Sequence, residues 1–504
     1  MKRTASLLLS VALLVPTLFS LGGCSSNGEI TLRVYNWEEY IDEGGEGSYD
    51  YDYDETGNAD TRPILDKFEE WYETEYGKSV RVEYSTFGTN EDLYNQLKLG
   101  DKYDLVCPSE YMIMKLAAEG MIQQLDFDLT EKHNYYNDYV SPFIREKFEN
   151  GLMFVKDESE LQPWSKYAAG YMWGVTGLVF NPAYVDEETD LKTGDYSGWK
   201  ALINPKYRNK VTTKDNVRDS YFVGLGILNR DKLLNLEKDA PGYNDELTKI
   251  MNDVTPETVA NVKEILMKMK ENIFGFETDT GKSDMVKGTI HMNFAWSGDA
   301  VYAMDEADNQ NVRLDFHVPE EGANLFFDGW VIPKDDKRSE DTTHAAHAFI
   351  NYMSRPDNAV RNSYYIGYTS VIAGDKMFEY ALDTYSAEEE SEAVPYDVSY
   401  FFGKDAVIEA DVEQLSRQLY AQFPPQEVVN RCAVMNYYGD EEEAINELWT
   451  QIKGERLSAW AIVIICVAIV GIAAFIVFAK LGHKIEFRWK PKKGYRLIKQ
   501  EKVK

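Results

Sequence analysis

Cysteine is scarce in this chain. There are four in 504 residues, and none stand at the CxxC spacing of a zinc or redox site. Cys107, in the apolar run YDLVCP, reads as a small buried hydrophobe. Histidine is nearly as rare, with six. His344 and His347 fall three apart on a helical pattern, a spacing that by itself leaves open both a metal and a solvated face. GxSxG, HExxH, a phosphate-cradling glycine loop and a Cys/His pair are all missing, so the usual nucleophiles and metal sites are excluded. Carboxylate pairs alone can run glycoside hydrolysis, and Asp219 and Asp328 are such a pair, but nothing around them supplies a catalytic setting. The chain is not expected to be an enzyme, and no cofactor or metal is expected.

Positive charge is also short. Asp and Glu number 85 against 53 Lys and Arg, for a net charge of −32. Ten of the basic residues, with only two acids, sit in the last segment, Lys480–Lys504, so the rest is more acidic still. Nucleic acid and anionic membrane surfaces demand a basic face and are excluded as ligands, whereas a cationic ligand is permitted.

Both ends carry targeting patterns. Met1-Lys2-Arg3, the apolar SLLLSVALLVPTLFSL and the ending Leu21-Gly22-Gly23-Cys24 read as a signal peptide over 1–23. The ending resembles a bacterial lipobox with Cys24 as the lipidated residue, followed by a linker over 24–29. Ala459–Ala479 carries no charge and, at about 1.5 Å per residue, is long enough to cross roughly 30 Å of hydrocarbon as one transmembrane helix. Cys466 lies within it. The basic residues that follow predict a cytoplasmic tail over 480–504 and an ectodomain on the extracytoplasmic face of the cell membrane.

Between these ends, with 44% of the chain hydrophobic, short branched or aromatic runs (ITLRVYNW, SVRVEYST, DLVCPS, MWGVTGLVFN, VTTK, IHMNFAW, LDFHV, GWVIP) alternate with helical periodicities such as ILDKFEEWYETEY and PETVANVKEILMKMK. The alternation predicts an α/β fold with mostly parallel sheets, whose ligands sit beyond the carboxyl ends of strands. One insertion, 44–60, is acidic and tyrosine-rich without a period; it lacks the sixth-position Gly and twelfth-position Glu of a calcium loop and reads as a solvated loop.

Rings and polar groups recur at strand ends. Trp37 and Tyr40 follow the first strand among Glu38, Glu39 and Asp42, with the glutamates expected in solvent. DLVCPSEY ends on Ser109 and Tyr111; TTKDNVRDS puts Asp215, Asn216 and Asp219 after a strand; MNFAWSGDA ends on Trp296 and Asp299. Phe326, Phe327 and Asp328 precede a strand, and Tyr368 lies in a glycine-containing loop. Singly, each reads as core or as a helix cap; together they outline a box of rings and carboxylates.

The stretches VYNWEEY, YDLVCPSEYMIMKLAAEGMIQQLD, YMWGVTGLVFN, NVRDSY, AWSGDAVYA, EEGANLFFDGWVIP and YIGYTS resemble, in order, the bacterial spermidine/putrescine-binding proteins, extracytoplasmic receptors of polyamine ABC importers. The resemblance spans about Ile30 to Lys453. It implies a two-lobed periplasmic-binding-protein fold of type II with a ligand cleft between lobes. Lobe 1 would comprise 30–175 and 329–376, and lobe 2 176–328 and 377–453. It also implies an aromatic box of Trp37, Tyr40, Tyr111, Trp296 and Tyr368, a ligand-side Ser109, and amine-binding acids at Asp219 and Asp328. Two positions depart from the family pattern: Asn216 stands for an Asp, and Phe326 for a Trp. The resemblance implies a polyamine and the permease subunits of an importer as partners; the patterns at the two ends add the membrane, through lipid and helix, and the charge balance excludes nucleic acid. The other readings are a receptor for a different cationic small molecule and a ligand-sensing ectodomain, for which the tail is too short to signal alone. A ferric-ion receptor is suggested only by Tyr364-Tyr365, one ring of which is expected in the core. Arg218 is expected to form a structural ion pair, and the resemblance places His344 and His347 on a surface helix, facing solvent rather than a metal.

Overall fold

The computed structural model describes residues 28–45, 48, 60–130, 132–389 and 393–454. The chain divides into two units, the first ending at Leu448. Cys24 and the 459–479 segment lie outside the described residues, as does most of the acidic insertion. No helix among the described residues is long and apolar enough to cross a membrane.

The first sheet centres on strand Ile30–Trp37, whose branched residues Leu32 and Val34 are fully buried. Val80–Phe87 pairs with it in parallel along its whole length, and Leu105–Val106 pairs with it in parallel on the other side. Parallel neighbours need a crossover, and helix Ile64–Tyr76 supplies it, burying Ile64, Phe68 and Tyr72 at four-residue spacing. It stops at Gly77, whose φ of 68° suits the left-handed helix end that glycine adopts without strain. Helix Glu340–Met353 shares this core through an edge-on contact of Phe349 with Phe68, centroids 5.0 Å apart. Its His347 is fully buried rather than solvent-facing, because Nε2 accepts a hydrogen bond from the Asp126 amide at 2.9 Å while Nδ1 donates to the Thr343 carbonyl at 2.8 Å. His344 pairs with the Tyr72 hydroxyl at 2.8 Å.

The second sheet is built on Ala169–Phe180, twelve residues, all buried. Its first half runs antiparallel to Leu325–Trp330 and Thr369–Ser370, and its second half runs antiparallel to Met292–Trp296 and Asp315–His317. The change of partners falls between Val175, opposite Leu325, and Thr176, opposite Trp296. Beyond Met292–Trp296 the sheet continues in parallel through Val211–Lys214 to Gly275–Glu277. This sheet is therefore mixed, not mostly parallel as the alternation predicted. The antiparallel partners arrive from far along the chain without hairpin turns, so no turn signal marked their direction.

Gly174 lies where the strand exchanges partners. A Cβ there would fall 2.3 Å from Ser297 Oγ and 2.8 Å from the Phe326 ring, so only glycine lets these elements meet. Cys107 and Cys432 are buried free thiols.

Candidate functional site

Asp328 lies within strand Leu325–Trp330, not ahead of it, and is buried beside a register shift at Asp328/Gly329. A run of apolar residues interrupted by an acid reads as a strand edge, because an unpaired buried carboxylate is costly. Two hydroxyls offset that cost here. Tyr40 donates to Oδ2 and Ser109 donates to Oδ1, each at 2.7 Å. Burial pushes the Asp328 carboxyl up to about 6, against the pull of both hydroxyls. No cation among the described residues forms an ion pair with it.

Asn90 braces this corner. Its side-chain amide donates to Ser109 Oγ at 3.1 Å and to the Tyr111 hydroxyl at 3.0 Å, and its carbonyl accepts from the Ser109 amide at 3.1 Å. Glu110 accepts from the Phe327 amide at 3.0 Å. Burial, with the Asp328 charge adding to it, pushes Glu110 up to about 8, so Glu110 is mostly neutral at pH 7 where Asp328 is ionised.

Tyr368 follows Gly367, the left-handed end of helix Pro356–Ile366. Its ring meets Tyr40 edge-on at 4.9 Å and Phe326 at 6.3 Å, and its hydroxyl donates to Asp299 Oδ1 at 3.0 Å. A Cβ on Gly298 would come within 2.1 Å of the Tyr368 ring, so helix Ser297–Asp308 can start here only with glycine.

On the far side of Tyr368, Trp296 ends its strand over a buried ammonium. Lys214 Nζ lies 4.4 Å from the indole centroid and donates to Asp299 Oδ2 at 2.8 Å. Lys282 Nζ lies 3.7 Å from Asp299, 3.6 Å from Glu39 and 2.6 Å from Asp279. Burial alone would raise Asp299, but the two ammoniums outweigh it and hold the carboxyl below the usual carboxylate range. Asp219 is buried in the first turn of helix Val217–Leu234 and, like Asp328, forms no ion pair among the described residues. Burial pushes it up to about 7, against the charge of Lys214 and a hydrogen bond with Trp296.

The predicted residues divide accordingly. Tyr40, Ser109, Phe326, Asp328 and Tyr368 are brought into one contact set, and Trp296 and Asp219 into a second beyond Tyr368. Tyr111 is tied to Ser109 through Asn90, but one face of its ring carries the Arg218 guanidinium at 4.3 Å. Arg218 forms no ion pair among the described residues. It is stacked between Tyr111 and Tyr438, the latter at 3.7 Å, and donates to the Asn436 carbonyl. Asn216 caps its helix, accepting from the amides of Arg218 at 2.8 Å and Asp219 at 3.2 Å, which uses its side-chain oxygen. Trp37 packs on Phe87 at 4.6 Å, with its indole N–H buried and without a hydrogen-bond partner among the described residues. Glu38 and Glu39 are exposed. Tyr364 is half exposed and Tyr365 half-buried, so neither ring is core. Among the described residues no group of three His, Cys, Asp or Glu could hold a metal. Sequence reasoning passed over Asn90, Glu110, Lys214 and Lys282. A lone Lys or Asn at an element's end carries no periodic signal, although the unusual placing of Asp299 between Gly298 and Ala300 was visible.

Residues 64–376 match the family of bacterial extracellular solute-binding proteins, and the chain belongs to that family. The family is one of solute-binding receptors rather than enzymes. The spermidine/putrescine-binding periplasmic protein of Salmonella typhimurium is 27% identical over 352 residues, covering 69% of this chain and 79% of that protein. The putrescine-binding periplasmic protein PotF of Escherichia coli is 26% identical over 349 residues, covering 68% and 77%. Among solved structures, the spermidine/putrescine ABC transporter substrate-binding protein PotD of Streptococcus pneumoniae superposes with a TM-score of 0.52 at 24% identity, over 84% of this chain and 98% of that one. The Tp0655 (TpPotD) lipoprotein of Treponema pallidum superposes with a TM-score of 0.53 at 18% identity, over 84% and 99%. The shared fold is the two-lobed periplasmic-binding-protein architecture.

Proposed function

We propose that the chain is the extracytoplasmic receptor of an ABC importer for a linear polyamine, spermidine or putrescine, which it delivers to the permease subunits. The observation that carries this reading is Asp328, a buried carboxylate held by two hydroxyls, with no ion-pair partner among the described residues and walled by Tyr40, Tyr368 and Phe326. A polyamine is a row of methylenes ending in ammoniums. Ring faces cover the methylenes and attract the charge, by about 0.5–2 kcal/mol per cation–π contact. A desolvated carboxylate fixes the end. The names of the relatives, which bind spermidine and putrescine, support the same ligand class. Calorimetry of the purified protein with putrescine, spermidine and spermine tests it. Heat with amino acids or sugars, and none with amines, would place the chain in another receptor class.

In this reading the ligand is walled by Trp37, Tyr40, Tyr111, Trp296, Phe326 and Tyr368 and anchored by Asp219 and Asp328, with Ser109 and Asn216 beside it. The lobes are 30–175 with 329–376 and 176–328 with 377–453, closing about a hinge over the ligand. The exchange of partners between Val175 and Thr176 supports a crossing there.

Binding should release protons. Asp328 and Asp219 titrate near 6 and 7 because burial raises them, and an ammonium beside either favours its charged form. Affinity therefore rises with pH through this window and falls below it, with up to about one proton released near pH 6.5. Heats measured in buffers of different ionisation enthalpy should differ accordingly; identical heats would contradict the assignment of these carboxylates.

The receptor is held at the membrane twice, by lipid on Cys24 and by the uncharged segment 459–479. A single acyl chain binds reversibly, whereas a spanning helix is effectively permanent. Cys24→Ala should leave the protein in the membrane fraction, and truncation after Glu455 in that background should release it. Soluble Cys24→Ala protein would show that the segment does not anchor.

A further inference from the structure

Lys214 is the residue that the binding reading leaves unexplained. Lysine normally keeps its ammonium in water, yet this side chain is 1% exposed at the end of strand Val211–Lys214. Its Nζ is fully engaged. It donates to Asp299 Oδ2 at 2.8 Å and to the Thr278 carbonyl at 2.9 Å, lies 3.5 Å from Glu277 and rests 4.4 Å from the Trp296 centroid. Carboxylate, carbonyl and ring face are the set that a bound alkylammonium would use. Here the chain's own ammonium uses it.

We infer that Lys214 is a specificity-determining residue, filling one cation position of the box so that the site takes a diamine and rejects the additional ammonium of a triamine. The inference rests on the polyamine reading above. Three buried aspartates border the rings. Asp299 is matched by Lys214 and Lys282, while Asp219 and Asp328 form no ion pairs among the described residues. Asp219 feels the charges of Lys214 and Arg218 without ion-pair contact to either, and these two carboxylates without an ion pair suit two ammoniums. A third would approach Asp299 along Tyr368 and meet Lys214 already seated on Trp296, a like charge in a desolvated place. Selectivity of this kind comes from a repulsive element as much as from an attractive one. Lys282 does not serve the same end, because its closest partner is Asp279 at 2.6 Å, an exposed carboxylate.

Calorimetry with putrescine and spermidine on the full-length protein in detergent, wild type and Lys214→Met, tests the assignment. The wild type should bind putrescine more tightly than spermidine. Lys214→Met should shift the spermidine-to-putrescine affinity ratio towards spermidine by about tenfold. Because Asp299 loses its nearest counter-charge in that variant, the neutral double variant Lys214→Met/Asp299→Asn provides a second reading. It should shift the ratio the same way by about threefold, from relief of repulsion alone. A Lys214 that merely braced the strand would alter stability and leave the ratio still. An unmoved ratio in variants that still bind putrescine, or a wild type that prefers spermidine, overturns the inference and spares the polyamine reading. A wild type that binds no amine overturns both.

Discussion

Asp328→Asn should weaken binding of every polyamine more than any other single change in the cleft, by about 2–5 kcal/mol, the usual loss when one partner of a desolvated charge pair is removed. The asparagine keeps the size of the side chain and can still accept from Tyr40 or Ser109, so the local strand should survive. What disappears is the counter-charge. Of the buried aspartates at the rings, Asp299 already faces two ammoniums at 2.8 and 3.7 Å and cannot take over. Trp296→Ala should cost less, because the indole supplies a ring face and a hydrogen bond but no net charge. Calorimetry of the two variants side by side checks the order; equal losses, or a larger loss for Trp296→Ala, would contradict it.

The largest expected effect on stability lies away from the ligand. Asp42 is fully buried and pairs with Arg361, itself 2% exposed. Asp42 also accepts from the Gly44 amide at 2.7 Å and Ser48 Oγ at 2.6 Å, while Arg361 donates to the Asp60 carbonyl at 2.9 Å, to Ser48 Oγ at 2.7 Å and to the Arg62 carbonyl. The pair thus fastens both shoulders of the acidic 44–60 insertion to helix Pro356–Ile366, two turns before Tyr368. Asp42→Asn leaves the guanidinium buried without its charge partner and should lower stability by about 3–5 kcal/mol, the range for breaking a buried pair from one side. Urea unfolding followed by tryptophan fluorescence measures it. A loss under about 1 kcal/mol, the range of an exposed pair, would show that this cluster does not anchor the insertion.

Local elements were legible because they carry a period. ILDKFEEWYETEY is helix Ile64–Tyr76, residue for residue, and ITLRVYNW is strand Ile30–Trp37. The polar interior was less so. Asp328 was placed before its strand, His347 was placed in solvent and Arg218 was expected in an ion pair. In each case a distant partner decides: Tyr40 and Ser109 for Asp328, the Asp126 amide for His347, and Tyr111 with Tyr438 for Arg218. Contacts across more than a hundred residues leave no trace in local spacing. Lys214 is the plainest instance, since a lysine ending a short strand looks like any surface residue until Asp299 and Trp296 are folded against it.

A crystal structure of the protein with putrescine bound tests the central claim most directly. One ammonium should lie within hydrogen-bond distance of the Asp328 carboxylate, with the methylenes against Tyr40 and Tyr368, the other ammonium towards Asp219, and Lys214 still seated over Trp296. Putrescine bound at another place, with Asp328 contacting only Tyr40 and Ser109, would contradict it.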